Sequence, residues 1–284
     1  MRHWRSSVLL LAALTLAVPQ EAEAKMGRKK GSGESGTMKE KSEPSPEILG
    51  AFSPIRSKLK YMRASGFVAT GLTPVYPRNA KCPEIDSPFA SASRYDGSPR
   101  SSRFYHGYHG GADISVPEGT PILAIADGTV VKKREGAFIG GIGFIVRHSP
   151  EDTGLPVWTF TEYKHLKALP TLEIDQRVKM GEPIALAGKT GTTGGHYGPQ
   201  GHSHLHLTVF YNATGEFKAL RFFVPIDGRW MDPVALFKVP PLGSQEIRKL
   251  PDQAKKVAIP YKTSDGRVVP EETKVVWPFA CEPE

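Results

Sequence analysis

The sequence predicts an all-β domain built mainly of antiparallel strands. Turn-forming residues are frequent, with 29 Gly and 25 Pro among 284 residues. The apolar stretches between them are mostly four to eight residues long and rich in Val, Ile, Thr and Phe, which favours strands over helices. Because few helical stretches separate the predicted strands, we expect a meander and not an alternation of strands and helices.

Residues 1–24 are predicted to be a secretory signal peptide. Basic residues precede the apolar run 8–18, and Ala22-Glu23-Ala24 has the small-x-small pattern of a cleavage site. The run is shorter than the ~20 apolar residues that cross a bilayer, and no later stretch comes closer. We therefore expect an exported protein with no transmembrane segment after signal removal. An uncleaved N-terminal anchor is the alternative.

Residues 25–75 are predicted to be a linker. Up to about residue 50 the segment has few apolar residues and many Lys, Glu, Ser and Gly, so it cannot bury enough surface to fold and is expected to be disordered. Residues 51–75 are ambiguous and could form a short amphipathic helix.

The predicted domain spans residues 76–240. Turn signals such as Asp96-Gly97 and Asp127-Gly128 recur along it. A helical turn is expected in 231–237, and residues 241–284 are expected to be a charged, Pro-containing tail. Strands are predicted between the turn signals at 111–116, 121–126, 129–134, 142–148, 157–165, 183–188 and 203–211.

The two cysteines, Cys82 and Cys281, are expected to pair. Oxidising compartments outside the cytoplasm permit disulfides, and an even number of cysteines fits one. Such a bond would tie the C-terminal tail to the start of the domain. Two unpaired buried thiols are the alternative.

The charge balance indicates what the protein meets. Its net charge is +8, so an exported form would be drawn to anionic polymers or lipid headgroups of the cell envelope. Nucleic acid is not an expected partner, because the sequence shows no recognition motif and export removes the protein from that compartment.

The histidines are the most informative feature, since four of nine lie in residues 196–207. Side chains of a strand alternate between faces, which separates His202, His204 and His206 from Leu205, Leu207 and Val209. The apolar face is expected to build the core, and two imidazoles two residues apart on the other face form half of a zinc site. A solvated His-rich surface is the alternative.

A second pattern, "HGGAD", offers a further imidazole and a carboxylate. In a straight strand His109 and Asp113 would lie about 13 Å apart, at a rise of about 3.3 Å per residue. This separation is too large for both to bind one ion, so the chain must bend. Gly110 and Gly111 are expected to allow that bend or bulge.

Three motifs occur in an order that resembles the lysostaphin-type zinc peptidases, also called the LytM family, which cleave peptide bonds in bacterial cell walls. The motifs are "HGGADISVPEGTPILAIADGTVV", "YKHL" and "GHSHLHLTVF". The resemblance extends from about residue 87 to residue 237. It implies an antiparallel β-sheet domain with an open, narrow groove and one zinc ion.

The resemblance also implies the role of each site residue. His109, Asp113 and His206 would bind the zinc ion. His165 and His204 would flank the attacking water, take its proton and stabilise the oxyanion. The sequence does not decide which of the two is the base, and it indicates no substrate-binding residues.

The sequence departs from the family pattern between "GKTGTTGG" and the H-x-H motif, where the chain is longer. His196, Tyr197 and His202 of this stretch either line the groove or belong to a surface loop, and the loop is favoured. His106 lacks an Asp at the family's spacing and is expected in the groove wall or on the surface. His148, at the end of a predicted strand, is expected to be exposed.

Together these features predict an exported zinc metalloendopeptidase that acts on peptidoglycan in the periplasm or outside the cell, associated with the wall. A non-catalytic activator or scaffold for another wall hydrolase is one alternative. A secreted protease acting on proteins is another. Because all five site positions hold the family's residue types, a catalyst is favoured over a scaffold.

Overall fold

The computed structural model describes residues 44–136, 140–192, 201–219 and 221–284. The predicted signal peptide and the N-terminal part of the predicted linker lie outside these residues. Within the chain, Glu43–Glu284 form one compact unit.

Most regular structure in the described residues is strand. The strands are β1 (Thr73–Val75), β2 (Ala80–Lys81), β3 (Ile85–Ser87), β4 (Ala112–Ser115), β5 (Pro121–Leu123), β6 (Gly128–Glu135), β7 (Ile142–His148), β8 (Trp158–Lys164), β9 (Arg177–Val178), β10 (Pro183–Leu186), β11 (His204–Asn212), β12 (Phe217–Ala219), β13 (Phe223–Pro225), β14 (Arg229–Met231), β15 (Lys256–Ala258), β16 (Tyr261–Lys262), β17 (Val268–Val269) and β18 (Glu282–Pro283).

The helices of the described part are short. They are α1 (Pro46–Phe52), α2 (Leu59–Ala64), α3 (Pro150–Thr153), α4 (Ser244–Ile247) and the 3-10 helices Tyr105–Gly107, Pro233–Phe237 and Asp252–Lys255. Over the residues described, no helix has the length and apolar character needed to span a membrane.

One large antiparallel sheet dominates the fold. Its strands lie in the order β3-β4-β11-β8-β7-β6-β9, and β14 also pairs with β11. Strands β6, β7 and β8 form a consecutive meander, whereas β11 joins two strands that are distant in sequence. The predicted antiparallel all-β class is confirmed, and a strand overlaps each of the seven ranges predicted for one.

The alternation predicted for β11 explains how the sheet is anchored. The apolar residues of one face pack into a large core with side chains from β4, β7 and β8; on β11 they are Leu205, Leu207 and Val209, each at most 1% exposed. Burying a Leu or Val side chain contributes about 1.5–3 kcal/mol relative to exposure. This face therefore fixes the orientation of the opposite face, which carries His204 and His206.

The described part of the predicted linker, residues 44–75, packs against the domain and includes α2, a short helix within the range 51–75 where one was possible. The Ser45 hydroxyl accepts a hydrogen bond from the Ile48 amide at 3.4 Å and caps α1. Phe52 and Met62 are buried in an aromatic cluster around Trp230, whose indole donates to a backbone carbonyl of α1 at 3.0 Å. A few large apolar residues thus order the segment from residue 44 onward, and an average over 25–75 conceals them.

The segment predicted as a tail also packs against the domain. Trp277 is 1% exposed, and its indole nitrogen donates to the Pro83 carbonyl at 2.8 Å. A disulfide joins Cys82 to Cys281 across 199 residues of sequence. The C-terminal residues therefore contribute to the main core, in addition to being tied to the start of the domain.

His148 is buried, so the expectation that it is exposed is wrong. It is 0% exposed; its Nδ1–H donates to the Asp127 carbonyl at 2.6 Å, and its Nε2 accepts from the Thr161 hydroxyl at 2.8 Å. Burial lowers the pKa of His148 to about 4. The imidazole is therefore neutral and holds together the ends of neighbouring strands.

Asp232 is a buried helix cap with an unusual pKa. One carboxyl oxygen accepts from the Val234 amide at 3.0 Å at the start of the 3-10 helix, and Thr70 bonds to the other. Burial raises the pKa of Asp232 from 3.8 to about 6. Because the folded protein holds this proton more tightly, the carboxyl contributes most to stability below pH 3.8, and the contribution declines as the pH rises to about 6.

We expect Asp232→Asn to remove this pH dependence. Asparagine can still cap the helix, but it does not ionise. The difference in the free energy of unfolding, variant minus wild type, should therefore increase by about 3 kcal/mol as the pH rises from about 3.5 to 7. Denaturant unfolding of both proteins at the two pH values measures this, and a difference that stays constant with pH would contradict it.

Candidate functional site

Three neighbouring strands of the large sheet bring the candidate residues together. In the register, His206 of β11 lies opposite Asp113 of β4 on one side and opposite Lys164 of β8 on the other. His109 precedes β4, and His165 directly follows β8. Residues far apart in sequence therefore meet at one position of the sheet.

His109, Asp113 and His206 form a tight cluster of donor atoms. His109 Nε2 lies 3.0 Å from both Asp113 Oδ1 and His206 Nδ1, and His206 Nδ1 lies 2.8 Å from Asp113 Oδ1. The three residues are at most 9% exposed. Ligand atoms bound to zinc at about 2.0–2.1 Å are about 3.3 Å apart in a tetrahedron. Two imidazoles and a carboxylate at this spacing fit a zinc ion.

Hydrogen bonds on the far side of each ring set which nitrogen faces the cluster. The His109 Nδ1–H donates to the Pro88 carbonyl at 3.0 Å. The His206 Nε2–H donates to the Thr208 hydroxyl at 3.1 Å. In each ring the other nitrogen keeps its lone pair for a metal ion, an arrangement usual for histidine ligands.

Asp113 is held in place from outside the cluster by Arg100. The guanidinium donates to Asp113 Oδ2 at 3.0 Å and to the Ser87 hydroxyl at 2.6 Å. Burial alone would raise the pKa of Asp113, but nearby His109 and His204 and the imidazole hydrogen bonds hold it well below its usual value. The carboxyl is therefore ionised, as a ligand must be.

The remaining two histidines present a nitrogen to the same groove. The His165 Nδ1–H donates to the Thr190 carbonyl at 2.7 Å, and the His204 Nδ1–H donates to the His202 carbonyl at 3.0 Å. Their ring centroids are 4.6 Å apart. Burial lowers the pKa of His165 to about 3, so this ring is neutral and its Nε2 can accept a hydrogen bond.

The "GKTG" segment has a structural role beside His165. The Thr190 hydroxyl donates to the Leu166 carbonyl at 2.7 Å and accepts from the Ile142 amide at 3.0 Å. Gly141 has φ 56°, and a Cβ there would lie 2.0 Å from the Thr190 carbonyl oxygen. Only glycine allows this approach, so the turn at Gly141 fixes the carbonyl that orients His165.

The glycines of "HGGAD" form the expected bend, and they also allow close packing. Gly110 and Gly111 are both bend residues, and the bend brings His109 Nε2 within 3.0 Å of Asp113 Oδ1. It lies before β4, which pairs with β11 without a register shift. A Cβ on Gly111 would lie 2.3 Å from the Leu207 carbonyl oxygen, and one on Gly110 would lie 2.9 Å from the Tyr105 ring. The glycines therefore let the chain entering β4 lie directly against its neighbours.

His202 lines the groove, in contrast to the surface loop that the sequence favours. Its ring stacks on Tyr95 with centroids 3.9 Å apart, and its Nε2 lies 2.5 Å from the Ser115 hydroxyl. His106 lies outside the donor cluster. Its Nε2–H donates to the Ser57 carbonyl at 2.7 Å. His196 and Tyr197 lie outside the described residues.

The groove itself has a volume of about 500 Å3. Three residues that support its donor cluster, Ser87, Arg100 and Thr208, were not predicted from the sequence. Each acts through hydrogen bonds made across strands or loops, and none belongs to a recognisable motif. Their roles depend on strand register, which no local sequence signal reveals.

Comparison with known proteins agrees with this geometry. Residues 107–216 match peptidase family M23. Over 100 residues the chain is 41% identical to an uncharacterized metalloprotease of Haemophilus influenzae, a match that covers 35% of this chain and 18% of that protein. It is 35% identical over 104 residues to peptidoglycan DD-endopeptidase ShyC of Vibrio cholerae, covering 37% of this chain and 20% of that protein.

Among solved structures, the chain is similar to the catalytic domain of lysostaphin from Staphylococcus simulans. The sequence identity is 22% and the TM-score is 0.32, and the match covers 45% of this chain and 78% of that one. The match spans about a fifth of the length of the two curated relatives. The match of residues 107–216 to peptidase family M23 confirms the resemblance found in the sequence.

Proposed function

We propose that the chain is an exported zinc metalloendopeptidase that hydrolyses peptide bonds of peptidoglycan in the periplasm or outside the cell. One observation carries the proposal. Four histidines each have one ring nitrogen fixed by a hydrogen bond and the other left for the groove. The ShyC relative, named a peptidoglycan DD-endopeptidase, supports the substrate class, and the net charge of +8 suits an anionic envelope.

The residues divide between metal binding and proton transfer. A zinc ion held by His109, Asp113 and His206 would supply Lewis acidity towards the scissile carbonyl and lower the pKa of water. His165 and His204 accept hydrogen bonds from the attacking water at Nε2, and one of them takes its proton. The ring that has taken the proton can donate from Nε2 to the charge that develops on oxygen and then pass this proton to the leaving amine, while the second imidazole accepts from the remaining hydroxyl.

Digestion of purified peptidoglycan tests the proposal. The protein, prepared as residues 25–284 with one equivalent of zinc, should release peptide fragments with new amino and carboxyl termini, identified by mass spectrometry. Release should stop with a chelator and resume when zinc is restored. Stimulation of another wall hydrolase without cleavage would instead indicate an activator, and cleavage of proteins alone would indicate a secreted protease.

We expect Thr208→Val to weaken zinc binding without removing a ligand. The change deletes the acceptor of the His206 Nε2–H, and loss of such a partner typically costs 10–100-fold in metal affinity. Competition with a chromophoric chelator measures this affinity. Thr159→Val is the matched control, because the buried Thr159 hydroxyl makes no hydrogen bond within the described structure. Equal affinities of the two variants would contradict the expectation.

A further inference from the structure

The metal-ligand cluster is one end of a row of residues that crosses the sheet. Asp113, His206, Lys164, Gly143 and Arg134 lie opposite one another on β4, β11, β8, β7 and β6. Neighbouring strands are about 4.8 Å apart, so the row spans roughly 19 Å. The candidate ligands Asp113 and His206 occupy the first two positions of the row. The cations Lys164 and Arg134 occupy the third and fifth.

Among the described residues, the cationic end of the row contains more positive than negative charge. Lys164 Nζ lies 3.0 Å from Glu162 Oε2, and Arg134 Nη1 lies 3.7 Å from Glu162 Oε1. Lys132 also interacts electrostatically with this carboxylate. The two ion pairs thus share a single anion, the Glu162 carboxylate.

These cations are mostly sheltered, yet they line the same groove as the histidines. The side chains of Lys164 and Arg134 are 10% and 23% exposed. Burial lowers the pKa of Lys164, which reflects the cost of holding this cation away from water. A buried excess of positive charge facing a groove is stabilised when an anion binds there.

Glycines provide the space around this pair. A Cβ on Gly140 would lie 2.4 Å from Arg134 Nη2 and 3.2 Å from Lys164 Cδ, and one on Gly143 would lie 3.4 Å from Lys164 Cγ. The strand position between Lys164 and Arg134 thus carries no side chain. The two cations can therefore approach one group from both sides.

We infer that Arg134 and Lys164 bind a carboxylate of the substrate peptide near the bond that is cleaved. The inference rests on the proposed function and specifies its substrate class. Lys164 lies one strand away from His206, and Arg134 lies three strands away. These separations are roughly 5 Å and 14 Å, and an extended peptide covers them in about one to four residues. Guanidinium and ammonium groups both form charge-assisted hydrogen bonds to carboxylates. The protein is therefore expected to prefer a wall peptide with a free carboxylate at this distance over the same peptide with a carboxamide in its place.

Two wall peptides that differ only in this group test the inference. One carries the free carboxylate near the cleaved bond, and the other carries a carboxamide in its place. Wild-type protein should cleave the carboxamide with kcat/KM lower by about 10- to 100-fold, the usual effect of losing a charged hydrogen bond. This comparison requires no variant, so it stands even if substitutions impair folding.

Variants then show whether Arg134 supplies the preference. Arg134→Gln should lower kcat/KM for the carboxylate peptide by about 10-fold or more and leave the carboxamide nearly unchanged, whereas structural damage would lower both. Lys133→Gln is the matched control, because it makes the same charge change on the same strand opposite Phe144, on the other face. It should keep the wild-type preference.

The outcomes separate the inference from the proposed function. Equal cleavage of both peptides by wild type would overturn the inference while leaving the peptidase intact. Preference retained in Arg134→Gln would show that this residue does not bind the carboxylate. No cleavage of either peptide, or of whole peptidoglycan, would overturn the proposed function itself.

Discussion

His109→Ala is expected to abolish zinc-dependent cleavage of peptidoglycan, with kcat/KM reduced on the order of 10^4-fold or more, because the metal supplies the electrophilic chemistry. The substitution removes one of three donor atoms that lie within 4.8 Å of one another. Two remaining ligands cannot hold a catalytic zinc ion in the usual arrangement of three protein ligands.

Zinc content and activity should fall together in this variant. Metal analysis after dialysis measures the first, and release of wall fragments measures the second. His106→Ala is the matched control, since His106 lies three residues earlier and contacts only the Ser57 carbonyl among the hydrogen bonds described. It should keep zinc and full activity. Cleavage by zinc-free His109→Ala would contradict the proposed mechanism.

His204→Ala is expected to separate metal binding from catalysis. Its Nε2 lies 3.6 Å from Asp113 Oδ1, outside the tight donor cluster, so the variant should bind zinc stoichiometrically. Loss of a positioned proton acceptor should lower kcat/KM by about 10^2- to 10^4-fold. His165→Ala should behave in the same way, because its ring shares the groove.

This pair of variants also distinguishes a catalyst from a scaffold. If the protein acted only by activating another hydrolase, His204→Ala with bound zinc would be as active as wild type in a mixed assay. Loss of activity with zinc retained supports proton transfer by the histidine. Loss of zinc together with activity would instead show that His204 is a metal ligand.

Much of the site could be predicted because strands impose a simple periodicity. The alternation in "HSHLHL" is enough to place the imidazoles on the face opposite the core. The spacing of "HGGAD" indicates a second pair of donor groups, and its glycines predict the bend that joins them. The close packing of Gly111 against β11 could not be predicted, because it depends on the neighbour across the sheet, and β4 and β11 are separated by about 90 residues.

What sequence patterns missed was mostly tertiary. Arg100 reaches Asp113 from a loop whose local sequence resembles any polar turn. Trp277 contributes to the core from a segment whose average composition is charged. Composition describes a segment as a whole, whereas a single large apolar side chain can be enough to fix its position.

The pairing of β11 with β4 and β8 has a consequence for how the chemistry is maintained. A slip of one residue would turn His204 and His206 into the core and bring Leu205 and Leu207 into the groove. The apolar residues on the core face of the sheet therefore fix the register of β11. They determine which side chains can react, although none of them touches a substrate.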